Sequence, residues 1–172
     1  MEQLLHHLQE IGVKASLLDR GTEQEKVGVS RASGQRSEGV IKIERRNIDC
    51  INVISVASQY GVRYFLDYLV RSPSWPGKKR KKTRMVIKKS SAIRGRVVDI
   101  EWKGDDYLSR ELNFDYQLKD RLLQAEPGEL KDSIWIFPEP KHEYARIRTA
   151  YFLPSSEAFE AMDIIARYVK SW

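Results

Sequence analysis

The chain reads as an α+β domain: one large antiparallel sheet built from hairpins or a meander, with a mid-chain helical segment and a C-terminal amphipathic helix packed on one face. Three observations predict this. Short β-favouring segments recur between turn residues, and the connections are too short for parallel crossovers. Helical spacing appears in only three places: at the start, after Gly104, and at the end. The final helical pattern carries Phe159, Met162, Ile165, Ala166, Val169 and Trp172 at intervals of three and four, a stripe wide enough to lie across a sheet. A length of 172 residues suits a single domain, 1–172, with a substantial core.

The elements follow in order. Residues 2–11 place Leu4, Leu5, Leu8 and Ile11 on one helical face, and Gly12 ends the pattern. Val13–Leu18, Lys26–Ser30, Gly39–Glu44 and Cys50–Ala57 are predicted strands. Turns at Asp19–Gly21, Ser33–Gly34, Arg45–Asn47 and Tyr60–Gly61 bound them. Gly61–Arg71 fits either period, but its three aromatics and two valines favour a strand. Met85–Lys88 reads as the returning strand of that hairpin, and Arg94–Trp102 as the next strand. Gly104-Asp105 opens a helical stretch through Leu108 and Leu112. Asn113 is the expected cap of a second helix with Tyr116, Leu118, Leu122 and Leu123, which Pro127-Gly128 should end. Ile134–Phe137 and Tyr144–Phe152 flank Pro138-Glu139-Pro140 as a further hairpin, and Ser155 or Ser156 should cap the last helix.

Charge is distributed unevenly. From Arg71 to Arg96 there are eleven basic residues and no acid, whereas the rest of the chain has 19 basic residues against 24 acidic. The densest part, Lys78, Lys79, Arg80, Lys81 and Lys82 with Arg84, Lys88 and Lys89 beyond, is expected on a basic hairpin loop at about 72–84. A concentrated cationic segment attracts polyanions, whether nucleic-acid phosphates or an anionic membrane surface. Trp75, between Ser74 and Pro76, is a possible stacking or interfacial anchor beside it. The competing reading is a solvated loop kept soluble by its charge.

Other constellations are weaker. Asp99, Glu101 and Lys103 alternate along a strand as the Glu-x-Lys of metal-dependent nucleases does, with Asp67 or Asp99 as the second carboxylate. Alternating charges on an exposed strand look the same. Tyr60, Tyr64, Phe65, Tyr68, Trp102, Trp135, Phe137, Tyr151 and Phe152 all fall on or beside predicted strands. Core packing accounts for most of them, but a sheet surface presenting several would be a stacking platform for single-stranded nucleic acid. The RNP consensus is not present. Met162, Ile165, Val169 and Phe159 could instead line an apolar cavity between sheet and helix, as in a carrier of a small apolar ligand or lipid.

Several classes are excluded. One cysteine, Cys50, permits no internal disulfide and no multi-thiolate zinc site. His6, His7 and His142 lack metal-ligand spacing, and the glycines form no phosphate-binding motif, so no cofactor is expected. The N-terminal residues do not resemble a signal peptide, and the expected compartment is the cytoplasm. The resulting expectation is a non-enzymatic binding module for an anionic partner, with nucleic acid first.

Overall fold

The computed structural model describes residues 1–30, 33–72, 80–89, 97–124 and 134–172; of residues 89, 97 and 98 only the backbone is described. Eight strands form one sheet: β1 Ala15–Leu17, β2 Gln35–Ile43, β3 Cys50–Ser58, β4 Gly61–Arg71, β5 Thr83–Lys89, β6 Val97–Lys103, β7 Trp135–Glu139 and β8 Tyr144–Ala150. Helices α1 Glu2–Glu10, α2 Asp106–Phe114, α3 Tyr116–Gln124 and α4 Ser156–Lys170, with 3-10 turns at Glu23–Lys26 and Pro140–His142, complete the described elements. The strand order is β1-β2-β3-β4-β8-β7-β5-β6, and every neighbouring pair is antiparallel. The predicted α+β class and antiparallel sheet are therefore observed, with β1 to β4 as a meander.

Alternation sets the two faces. Ile51, Val53, Leu66, Tyr68, Val70, Met85, Ile100, Trp102, Ile136 and Ile147 point to one face and are buried. Leu4 and Leu8 of α1, Leu108 and Leu112 of α2, Leu118 and Leu122 of α3, and Phe159, Met162, Ile165 and Val169 of α4 pack there as one cluster. Each fully buried Leu, Ile or Phe in it contributes about 1.5–3 kcal/mol. Ser155 caps α4, its hydroxyl accepting from the Ala158 amide at 3.2 Å. Asp163 reaches from α4 to the β2–β3 turn and accepts from the Asn47 amide at 2.7 Å and the Ile48 amide at 3.2 Å.

Three expectations need correcting. Lys26–Ser30 is not a strand: Glu23–Lys26 forms a 3-10 turn, and Gly28 at φ +68 takes a left-handed conformation that no strand holds. Asn113 does not cap α3. Asp115 does, accepting from the Leu118 amide at 2.8 Å. The Asn113 side chain instead pairs with both peptide groups of Trp102, accepting at 2.8 Å and donating at 3.0 Å, which closes part of the β6 edge. Pro127-Gly128, the expected end of α3, lie outside the described residues. Last, β4 and β5 are not neighbours. β8 and β7 lie between them, so the 72–84 connection does not belong to a hairpin.

The start of β5 is held by an unusually close packing against the β6–α2 turn. At Gly104, φ is +142, and an added Cβ would overlap the Lys82 carbonyl oxygen and stand 2.6 Å from Thr83 Cα. Both obstacles are backbone and neither can swing away. Gly104→Ala is therefore expected to destabilise the fold by about 3 kcal/mol or more, as a lowered urea midpoint with unchanged slope. A loss under about 0.5 kcal/mol would show that this turn is not constrained as described.

Candidate functional site

The second face of the sheet divides into a covered half and an open half. The segment from Leu18 to Val27 covers β2, β3 and the near side of β4. There Val27 and Leu18 pack on Val40, Cys50, Leu69 and Tyr144. Gln24 fastens the segment down: its carbonyl accepts from Asn52 Nδ2 at 3.0 Å, and its side-chain amide donates to the Tyr144 hydroxyl at 3.2 Å. Gly28 permits the chain to lie directly on the Arg146 side chain, since a Cβ there would overlap the guanidinium. Beyond Arg146 the face is open.

Pairing register places charged and aromatic residues in one row across the open half. Asp67 on β4 stands opposite Arg148 on β8, Arg148 opposite Trp135 on β7, Trp135 opposite Arg84 on β5, and Arg84 opposite Lys103 on β6. A neighbouring row runs from Leu69 through Arg146 to Phe137. Local sequence explains the alignment. In Trp135-Ile136-Phe137 and Arg146-Ile147-Arg148 the central isoleucine enters the core and turns both flanking side chains to the other face.

The arginines of β8 are neutralised and fixed. Asp67, fully buried, accepts from Arg148 Nε at 2.6 Å and Nη2 at 2.7 Å in a two-point contact. Arg146 donates to Glu139 at 2.6 Å and lies 3.5 Å from Asp67. Their guanidinium groups lie over rings, Arg146 4.2 Å from the Phe137 centroid and Arg148 5.3 Å from that of Phe65. Trp135 and Phe137 stack side by side with centroids 6.0 Å apart and planes 15° apart.

A second group of cations is exposed. Arg63, Lys82 and Arg84 pair with no carboxylate among the described residues. Lys82 and Arg84 stand 5.4 and 5.6 Å from the Trp135 ring centroid. Arg63, Phe65, Lys82, Trp135, Phe137 and Arg148 line an open hollow of about 570 Å³. Its chemistry is that of an anion site with π surfaces: free cations at the rim, flat half-buried rings and the neutralised Arg148 guanidinium within.

The predicted basic residues separate. Lys82 lines this hollow, and Arg84 stands beside it over the Trp135 ring. Arg80 turns away, its guanidinium 5.5 Å from the Trp172 ring. The Lys81 amide donates to Asp105 at 3.2 Å, and its ammonium lies 3.8 Å from Asp106. Lys88 is held by Asp99 and Glu101, both at 3.4 Å. Lys78, Lys79 and Trp75 lie outside the described residues, as does the side chain of Lys89. The alignment of Arg63, Arg146, Arg148, Asp67, Phe65, Trp135 and Phe137 was not anticipated as a site. The visible signal was the pair of x-Ile-x triplets, one aromatic and one basic.

Of the carboxylates proposed for a nuclease, Asp99 and Glu101 share the Lys88 ammonium, and Asp67 does not join them. Asp67 sits on β4 and Asp99 and Glu101 on β6, four strand steps or about 19 Å away across the sheet. Lys119 beside Asp99 and Lys103 beside Glu101 hold both carboxyls below their ordinary values. Among the described residues no group of three His, Cys, Asp or Glu side chains is placed to hold a metal. Cys50 is buried, and desolvation, with Asp49 nearby, pushes its thiol up to about 11. Phe159, Met162, Ile165 and Val169, the residues proposed to line a carrier cavity, are at most 1% exposed and pack into the main core. No helix among the described residues is long and apolar enough to cross a membrane. Compared with known protein families, with curated proteins and with solved structures, the chain matches none.

Proposed function

We propose that the open half of the sheet binds nucleic acid through Arg63, Lys82 and Arg84, beside the rings of Trp135, Phe137 and Phe65. One observation carries this reading. Arg63 and Lys82, with Arg84 beside them over Trp135, are exposed cations without carboxylate partners among the described residues, and they border half-exposed aromatic rings on one open face. Exposed cations alone make a solvated surface, and buried rings alone make a core. Their conjunction on an open face supports a ligand that offers phosphates and flat rings together. The basic run remains part of the proposal, but as two residues of a composite site, not as an independent loop.

The test is anisotropy of labelled oligonucleotides at low and moderate salt. Three phosphate contacts give a log–log salt slope of roughly −2 to −3. The triple variant Arg63→Ala, Lys82→Ala, Arg84→Ala is expected to weaken binding at least about tenfold and to flatten that slope. Lys88→Ala with Lys103→Ala, which removes two cations already paired with acids, should leave affinity nearly unchanged. Binding that survives the triple variant, or that ignores salt, would remove this reading. A separate Lys78→Ala, Lys79→Ala variant measures what the rest of the run adds.

A further inference from the structure

We infer that the face selects single-stranded nucleic acid over duplex, with bases stacked on Trp135 and its neighbouring rings and phosphates held by Lys82, Arg84 and Arg63. The inference rests on the reading above and narrows its ligand. Three features point to it.

First, the cations over Trp135 are displaceable. At 5.4 and 5.6 Å from the ring centroid they make cation–π contacts only, and both side chains are exposed. Neither is anchored by a carboxylate among the described residues. An exposed cation–π contact is weaker than a base stacked on the same ring, so a base displaces them. Once swung outward, both are placed to meet the phosphates of the nucleotide that displaced them.

Second, the remaining π surfaces are rigid. Asp67 fixes Arg148 through two hydrogen bonds, so the plane over Phe65 loses little freedom when a ligand arrives. Arg148 is neutralised and contributes flatness more than charge, while Arg146, beneath Gly28, supports Phe137 from outside the hollow.

Third, the span fits a short run of bases. From Phe65 on β4 to Arg84 on β5 is three strand steps, about 14 Å. That accommodates about two or three splayed bases, the number that four strands carrying aromatic residues take. A duplex keeps its base faces stacked on one another and can offer this hollow only its backbone. It would then use the three cations and none of the rings.

The experiment compares a labelled single strand of about twelve nucleotides with the blunt duplex of the same sequence at about 0.1 M salt. Wild type is expected to bind the single strand at least tenfold more tightly and to show tryptophan quenching with it alone. Trp135→Leu should lose most of that preference while keeping its duplex affinity and its salt slope, because stacking releases no counterions. Trp135→Phe, which retains a ring, should recover part of it, and this separates stacking from a folding defect. Equal binding of both forms, lost together in the Arg63, Lys82, Arg84 triple variant, would overturn the inference and leave the broader reading standing. Absence of binding to either form would overturn both.

Discussion

Asp67→Ala is expected to destabilise the protein by about 3–5 kcal/mol. Asp67 is wholly buried and is the acceptor for Arg148 at both oxygens, with Arg146 beside it. Removing it leaves the Arg148 guanidinium, itself mostly buried, without its counter-charge. Arg146 keeps Glu139, so the damage centres on Arg148. With a urea slope of about 2 kcal/mol/M, the midpoint should fall by about 2 M. A double variant separates the pair from its parts. Asp67→Leu with Arg148→Met replaces both charges by apolar groups and should recover much of the stability, because an unpaired buried charge is worse than none. It should not recover the ordered ring surface, since the plane over Phe65 is gone. A loss below about 1 kcal/mol for Asp67→Ala would mean that Arg148 finds water readily and that the face is less rigid than described.

The second large effect is at Asp105, where folding and the site meet. Its carboxylate is buried and caps α2, accepting from the Tyr107 and Leu108 amides at 3.2 and 3.3 Å. The same group accepts from the Lys81 amide at 3.2 Å, and its own amide donates to Thr83 Oγ1 at 3.1 Å. Asp105 thus ties both neighbours of Lys82 to the start of α2. Asp105→Ala removes a cap, typically about 1 kcal/mol, and strands further donors, for a total of about 2–4 kcal/mol. Asp105→Asn is more discriminating. It can keep the cap, but it turns an amide group toward the Lys81 N–H and should still lose about 1–3 kcal/mol.

The carboxyl of Asp105 also links stability to pH. Burial works to raise its pKa, but the Lys81 amide, the Trp172 indole and the Leu108 and Tyr107 amides outweigh it and hold the group below its ordinary 3.8. A depressed folded value means the contribution is fully present above the unfolded pKa and is lost as pH falls through the folded one. The stability gap between wild type and Asp105→Asn should therefore be constant near neutrality and narrow from about pH 4 downward. A gap that keeps its size through that range in urea titrations would assign the effect to something other than this carboxylate.

Most strands and helices were legible in the chain because each is a local pattern. Gly61–Arg71 alternates, and it is β4; residues 156–170 repeat at three and four, and they are α4. Failures occurred where a local pattern met a non-local constraint. Val27 and Val29 alternate like a strand, yet Gly28 breaks the backbone and the segment serves as a cover. Asn113 has the chemistry of a cap, yet the edge of β6 uses its amide first. The basic run looked like one feature because its residues are contiguous. Folding directs Arg80 to Trp172, Lys81 to the α2 start and Lys82 to Trp135.

By itself the amino-acid sequence determined the class of the fold, the periodicity of its elements, and the excess of positive charge between Arg71 and Arg96. It also set the phase of Trp135 with Phe137 and of Arg146 with Arg148, because alternation in a strand is a property of the backbone. Only the tertiary structure decided which strands are neighbours. Nothing in the residues of β4 and β5 states that β8 and β7 lie between them, since pairing energy depends on the whole shared core and not on one strand. That choice puts Asp67, Arg148, Trp135 and Arg84 in a single row, spends the charge of two arginines on a buried carboxylate, and leaves Arg63, Lys82 and Arg84 exposed around the rings.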